Sequence, residues 1–183
     1  MSHPNDPAHL VFYRKQHRNQ LIQGLVYALR EKHLIVPDYQ RGRVWTREQS
    51  EKWCGYVLSG APLPSLMIRE VNAPDGSVRD EIVDGQQRLT SIVDWLDGKI
   101  AAETWDGRRV TREHISVRRM LRLTVPVVAF PVGTSREDAI TAYLAVNSGG
   151  TPHTADDLAR VRRTLSDLRR TLDESDGGEG GAV

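Results

Sequence analysis

Asp84-Gly85-Gln86-Gln87-Arg88 packs a carboxylate, two amides and a guanidinium into one short stretch, between the apolar pair Ile82-Val83 and the apolar residue Leu89. Side chains of these types can serve such a turn in two ways. Asp84 with Gln87 three residues later has the form of a capping box, in which a side-chain oxygen meets an orphan backbone N–H and the glutamine reaches back. The same turn can hold an anion. Free N–H groups and the positive end of a helix dipole, reinforced by the Arg88 guanidinium, suit phosphate. Capping alone gives no role to Gln86 or Arg88, and the two readings are compatible. Gly85 permits tight backbone geometry or the close approach of a ligand.

The elements around the turn follow from periodicity. Leu89, Ile92, Val93 and Leu96 keep helical spacing, with Asp97-Gly98 as a stop. Pro62 to Val71 reads as a strand that turns at Asn72 to Ser77 and returns through Glu81-Ile82-Val83. Earlier, Pro37 pushes Tyr39 to Trp45 into a loop. Tyr39 and Trp45 either pin that loop to the core or face a ligand, whereas packing gives no account of Gln40 and Arg41. Thr46 with Gln49 forms a second capping box, for a helix expected to turn Trp53, Tyr56 and Val57 inward and to stop at Gly60. A first helix is expected from about Arg18, carrying Leu21, Ile22, Leu25, Val26 and Leu29, after a loose lead-in from Met1 to His17 in which Leu10-Val11-Phe12 docks as a short strand.

Farther on, Leu123 to Phe130 is a third strand, placed near an edge or bulge by Pro126. A helix capped at Ser135 presents Ile140, Tyr143 and Leu144, then runs into Asn147, Gly149 and Gly150. That glycine pair is either a helix stop or backbone lining a ligand with Asn147. A last helix from Thr154 carries Leu158, Val161, Leu165, Leu168 and Leu172, and either packs on the domain or meets a partner. One domain over 18–172 is expected, with a disordered Gly- and acid-rich tail over 173–183. The whole reads as an α/β (α+β) fold.

Bulk properties narrow the function classes. A length of 183 residues with 39% hydrophobic and 27% charged residues describes an ordinary globular chain with room for one core. A net charge of +1 argues against a strongly electrostatic nucleic-acid binder. The basic set Arg108, Arg109, Arg112, Arg118, Arg119 and Arg122 is either a solvated face or a DNA or partner surface. Cys54, the single cysteine, excludes an internal disulfide and a cysteine-based zinc site. It reads as a small buried hydrophobe rather than a nucleophile. No signal core or membrane-length apolar run is present, so a cytoplasmic location is expected.

Taken in order, Pro37-Asp38-Tyr39-Gln40-Arg41 with Trp45, then Asp84 to Thr90, then Asn147-Ser148-Gly149-Gly150-Thr151 ahead of Asp156-Asp157-Leu158, form a recognisable series. It resembles the N-terminal domain of GmrSD-type, modification-dependent restriction systems, a branch of the ParB/sulfiredoxin-like superfamily. The resemblance runs from about Leu34 to Arg162. It implies a small mixed sheet surrounded by helices, with a C-terminal helix and a strand-to-helix turn that binds nucleotide phosphates. By position it implies Tyr39, Gln40, Arg41, Gly85, Arg88, Thr90, Asn147, Gly149 and Gly150 as nucleotide contacts. Asp84 would hold Mg²⁺ or water, Gln86 and Gln87 would orient the attacking water, and Arg88 with Arg41 would neutralise phosphate charge. Full-length relatives carry a further His-Asn-His nuclease domain, and His33, His114 and His153 lack paired-ligand spacing.

A stand-alone domain that binds, and slowly hydrolyses, a nucleoside triphosphate with Mg²⁺ is therefore expected. It would be the sensor or regulatory half of a DNA-directed restriction or phage-defence system, with a separate nuclease as partner. The rival is a non-enzymatic DNA- or protein-binding module, such as a phage or mobile-element protein that engages a host factor. Direct nuclease action through Asp84 is the weakest reading, because one carboxylate makes a poor metal site.

Overall fold

The structure, a computed structural model, describes residues 16–40, 42–73, 76–147 and 155–176. The chain opens with a strand, β1 (Gln16–Leu21), followed by α1 (Ile22–Arg30) and the short β2 (Leu34–Ile35). After the loop come α2 (Arg47–Ser59) and the hairpin of β3 (Leu66–Asn72) and β4 (Val78–Asp84), which leads into α3 (Gln86–Leu96). A small hairpin of β5 (Ala102–Glu103) and β6 (Arg109–Val110) precedes α4 (Val117–Leu121), β7 (Thr124–Ala129), α5 (Arg136–Asn147) and α6 (Ala155–Asp176).

Five strands form a mixed sheet in the order β1-β7-β3-β4-β2. The β1/β7 and β3/β4 pairs are antiparallel, and β7/β3 and β4/β2 are parallel. Helices cover both faces, and alternation along the strands feeds both layers. Ile68 and Ile82 enter a core with Ile22, Leu25, Leu89, Ile92 and Trp95, while Val83 enters a second core with Tyr39, Ile140, Tyr143 and Val161. This is the mixed α/β architecture with a C-terminal helix that the sequence leads one to expect.

Several local expectations need correction. Gln16–Leu21 is a strand, not lead-in followed by helix, because Gln16 to Leu21 pair with Ala129 back to Thr124; α1 starts at Ile22. Pairing across the sheet has overridden a helical period that Leu21 happened to continue. In α2 the buried face is Cys54, Val57 and Leu58, and Tyr56 is 43% exposed. The strand β7 is interior, not at an edge. Pro126 is accommodated because the ladder to β3 spans only Val127 to Ala129, leaving Pro126 a strand partner on one side alone. Helix α6 continues through Asp176, past the expected tail boundary at Asp173. The strand expected from Pro62 begins only at Leu66, and the segment from Ile100 to Arg122 holds the β5/β6 hairpin and α4. The expected strand at Leu10 to Phe12, the expected start of the last helix at Thr154 and residues 177–183 lie outside the described residues.

Two glycines differ in what they are for. At Gly55 a Cβ would collide with the backbone oxygen of Glu103, so close approach of α2 to β5 requires glycine. At Gly24, inside α1, a Cβ would meet nothing within 4 Å. Packing does not demand glycine there, and its backbone entropy weakens the helix. Gly24→Ala is expected to raise stability by about 0.5–1 kcal/mol, read as a higher urea midpoint with an unchanged slope; a lower midpoint would contradict this.

Candidate functional site

Strand β4 reaches the turn through a register shift between Met67 and Ile68 that sets Asp84 opposite Met67, so the strand continues through Asp84 and the N-cap falls on Gly85. Gly85 has φ 103° and makes no side-chain cap. The expected capping box of Asp84 and Gln87 is therefore corrected. Asp84 Oδ2 instead accepts from Arg88 Nη2 at 2.5 Å, a charge-assisted i,i+4 pair that outcompetes a backbone N–H. Arg88 Nη1 donates to the Pro64 carbonyl at 2.9 Å, so one guanidinium braces the approach to β3, the end of β4 and the start of α3.

Gln87 has a different task. Its Oε1 accepts from the Val44 and Trp45 N–H groups at 3.1 and 3.3 Å, and its Nε2 donates to the Gly42 carbonyl at 3.0 Å. The amide is spent on the loop rather than directed at a ligand. Gln86 has no side-chain hydrogen bond among the described residues, and its carbonyl accepts from the Thr90 hydroxyl at 2.9 Å. Thr90 Oγ1 also reaches the Gln87 carbonyl at 3.2 Å, so this hydroxyl is used within the helix.

Tyr39 and Gln40 are support rather than exposed ligands. Tyr39 is 1% exposed, donates to Glu81 Oε1 at 3.0 Å and packs edge-on against Tyr143. Burial, with Glu81 beside it, raises its hydroxyl pKa well above the usual value. Gln40 Nε2 donates to the Ile82 and Val83 carbonyls at 2.5 and 3.1 Å, holding the loop on the end of β4. Arg43 pairs with Asp94, tying the far side of the loop to α3. Trp53 Nε1 donates to the Arg88 carbonyl at 2.9 Å from the α2 side.

Sequence reasoning missed the buried ion pair beneath the loop. Arg69 Nε and Nη2 donate to Glu81 Oε1 and Oε2 at 3.0 and 3.1 Å, and Arg69 Nη1 reaches the Thr134 carbonyl. The two residues are direct cross-strand partners, which aligning the hairpin would have revealed. Cys54 is fully buried, and burial pushes its thiol up to about 12, so it is no nucleophile at neutral pH. Arg41, Gly149, Gly150 and the Asn147 side chain lie outside the described residues.

The expected basic set splits. Arg108 pairs with Asp106, Arg109 with the buried Glu51, and Arg112 Nη1 donates to the Leu96 carbonyl. Burial works against ionisation of Glu51, but hydrogen bonds from Arg109, Arg47 and the Ala101 N–H hold its pKa below the usual value. Arg118, Arg119 and Arg122 are exposed, have no acidic partner among the described residues and line a shallow cavity with Ser116. Among the described residues no three acidic, histidine or cysteine side chains converge as a metal site. The Asp84 carboxylate is engaged by Arg88. No helix among the described residues is long and apolar enough to cross a membrane.

Comparison with known proteins gives three findings. The family model described as GmrSD restriction endonuclease, N-terminal domain, matches residues 22–162. An uncharacterized protein of Methanocaldococcus jannaschii is 29% identical over 96 residues, covering 42% of this chain and 17% of that relative, so the chain spans a small part of its length. The C-terminally truncated chromosome-partitioning protein ParB from Caulobacter crescentus, complexed with CTP-gamma-S, aligns over 85% of this chain and 65% of that one, with 15% identity and a TM-score of 0.44.

Gly85 sets the geometry of the whole turn, since a Cβ there would also collide with Leu66 Cδ2. Gly85→Ala is expected to cost about 1–3 kcal/mol through the left-handed backbone, measured by chemical denaturation; an unchanged midpoint would show that the turn relaxes freely.

Proposed function

Since the chain belongs to the family of the GmrSD restriction endonuclease N-terminal domain, we propose that it binds a nucleoside triphosphate at the Asp84–Arg88 turn, as the sensor or regulatory half of a DNA-directed, restriction-type system. One observation carries this reading: α3 begins on a glycine with no cap, beside a held guanidinium. A helix start leaves its first N–H groups without intrahelical partners, and they point along the positive end of the dipole. Of the five N–H donors of Arg88, Asp84 and Pro64 engage two nitrogens, and the remaining donors suit a phosphate at the same turn. Arg41 is proposed as a second cation from the loop that Gln40 and Gln87 anchor on either side.

Phosphoryl transfer asks a protein mainly for positioning and charge stabilisation. Gln86 is the glutamine proposed to orient a water, because the Gln87 amide already holds the loop. Any Mg²⁺ is proposed to arrive on the phosphates, which bind it with few protein ligands. Hydrolysis and a separate nuclease partner remain part of the proposal for the whole system.

Calorimetry across the common ribonucleoside triphosphates with Mg²⁺ tests the reading. The expected result is binding to the wild type that Arg88→Ala weakens at least tenfold, about 1.4 kcal/mol, with the variant still folded by circular dichroism. Where phosphate release is seen, Gln86→Ala lowers it, whereas Gln87→Ala first loosens the loop and lowers the melting temperature. No binding of any triphosphate by wild type would remove the proposal.

Arg118, Arg119 and Arg122, which have no acidic partner among the described residues, favour a second reading, in which α4 contributes a DNA contact. Each phosphate neutralised releases counterions, so affinity falls with salt. Replacing all three by alanine is expected to lower the slope of log K against log salt by roughly 1 per arginine, followed by fluorescence anisotropy on duplex DNA. A flat salt response in the wild type would exclude this contact.

A further inference from the structure

One cavity among the described residues lies away from the Gly85 turn. A cleft of about 710 Å³ lies between β1, α1 and the sheet, with Leu34 and Ile68 on its apolar floor and Tyr27, 61% exposed, on its lining. That volume is within the range of small-molecule sites. Gly24 also lines it. A glycine that packing does not require, kept inside a helix at a cost in stability, is explained if a side chain there would fill the cleft.

The polar lining specifies the occupant. Asn19, Gln20, Gln23 and Asp80 border the cleft. The Asn19 and Gln23 amides make no side-chain hydrogen bond among the described residues, and each offers both donors and an acceptor. Gln20, with its amide oxygen turned to Arg18, accepts from that guanidinium at 3.2 Å. Arg18 also stands 3.7 Å from Asp80, so the one carboxylate among the described lining residues is balanced by a cation of the chain itself. Burial raises the Asp80 pKa, with Arg18 opposing it, and its two carboxyl oxygens are the acceptors facing the cleft. A charged ligand would upset that balance. An uncharged flat ring with donors and acceptors along its edge would satisfy the amides and the carboxylate and bury its faces on the apolar floor.

We propose that this cleft binds a nucleobase, through Asn19, Gln23 and Asp80 at its edge and with space provided by Gly24. Carboxylate and amide side chains are the groups that read base edges by paired hydrogen bonds. The base belongs either to a free nucleoside or to a single-stranded nucleic acid, and both present the same ring. The site is separate from the Gly85 turn and does not depend on the triphosphate reading.

Calorimetric titration with cytidine, uridine, adenosine and guanosine, and separately with mixed-sequence single-stranded DNA decamers, tests it on the full chain. Nucleosides carry no phosphate, so the expected binding of at least one ligand survives Arg88→Ala. Gly24→Leu is expected to lower that affinity at least tenfold while leaving the melting temperature equal or higher, which separates loss of the site from loss of the fold. Asn19→Ala, on an exposed strand, lowers it severalfold. Nucleosides that bind as well as the decamers identify a free ligand, and decamers alone identify a strand. The proposal is overturned if no nucleoside or decamer binds the wild type, if Gly24→Leu binds unchanged, or if Arg88→Ala alone abolishes binding.

Discussion

At Gly85 the chain leaves a strand buried on both faces and enters a helix within one residue, and it does so at φ 103° against the Leu66 side chain. Sheet and helix can meet this closely because no Cβ stands between them. Everything nearby is arranged to hold that junction. Arg88 ties it to Asp84 and Pro64, Trp53 reaches the Arg88 carbonyl, and Gln87 draws the loop over it.

A consequence is that most of the polar side chains at the turn are already committed. Gln87 and Gln40 hold the loop from opposite sides, and the Arg69–Glu81 pair with Tyr39 supports it from below. A buried pair of this kind is a weak source of net stability, but breaking it leaves an uncompensated charge. It therefore fixes the loop in one position. What the turn can still offer an anion is chiefly backbone N–H groups, spare guanidinium donors and the Gln86 amide. Rigidity of this sort is what pre-organised binding needs, since the ordering cost is met in folding.

The layout of this region was legible in the sequence because its signals are local. Leu89, Ile92 and Leu96 mark α3, the Thr46–Gln49 box marks α2, and a polar turn between strand-like runs marks the β3/β4 hairpin. The family, too, was legible from the order of its motifs. Roles within the turn were less so. Asp84 and Gln87 have capping spacing, but spacing does not reveal that β4 runs on through Asp84 or that Arg88 is the stronger partner. The Gln87 clip joins residues more than forty positions apart, beyond any periodicity. Gln16–Leu21 carries no strand alternation of its own and becomes β1 only through β7. The cleft under α1 left one trace, Gly24, which reads in sequence only as a weakness of the helix.

The central claim is that the uncapped start of α3 is a phosphate site built from backbone. Backbone amide NMR of the wild type, titrated with a ribonucleoside triphosphate and Mg²⁺, tests it most directly. The account predicts that the Gln86, Gln87 and Arg88 amide resonances move together and saturate with the binding isotherm. Saturable binding that leaves those three amides unmoved would contradict it, and would place the ligand elsewhere on the domain.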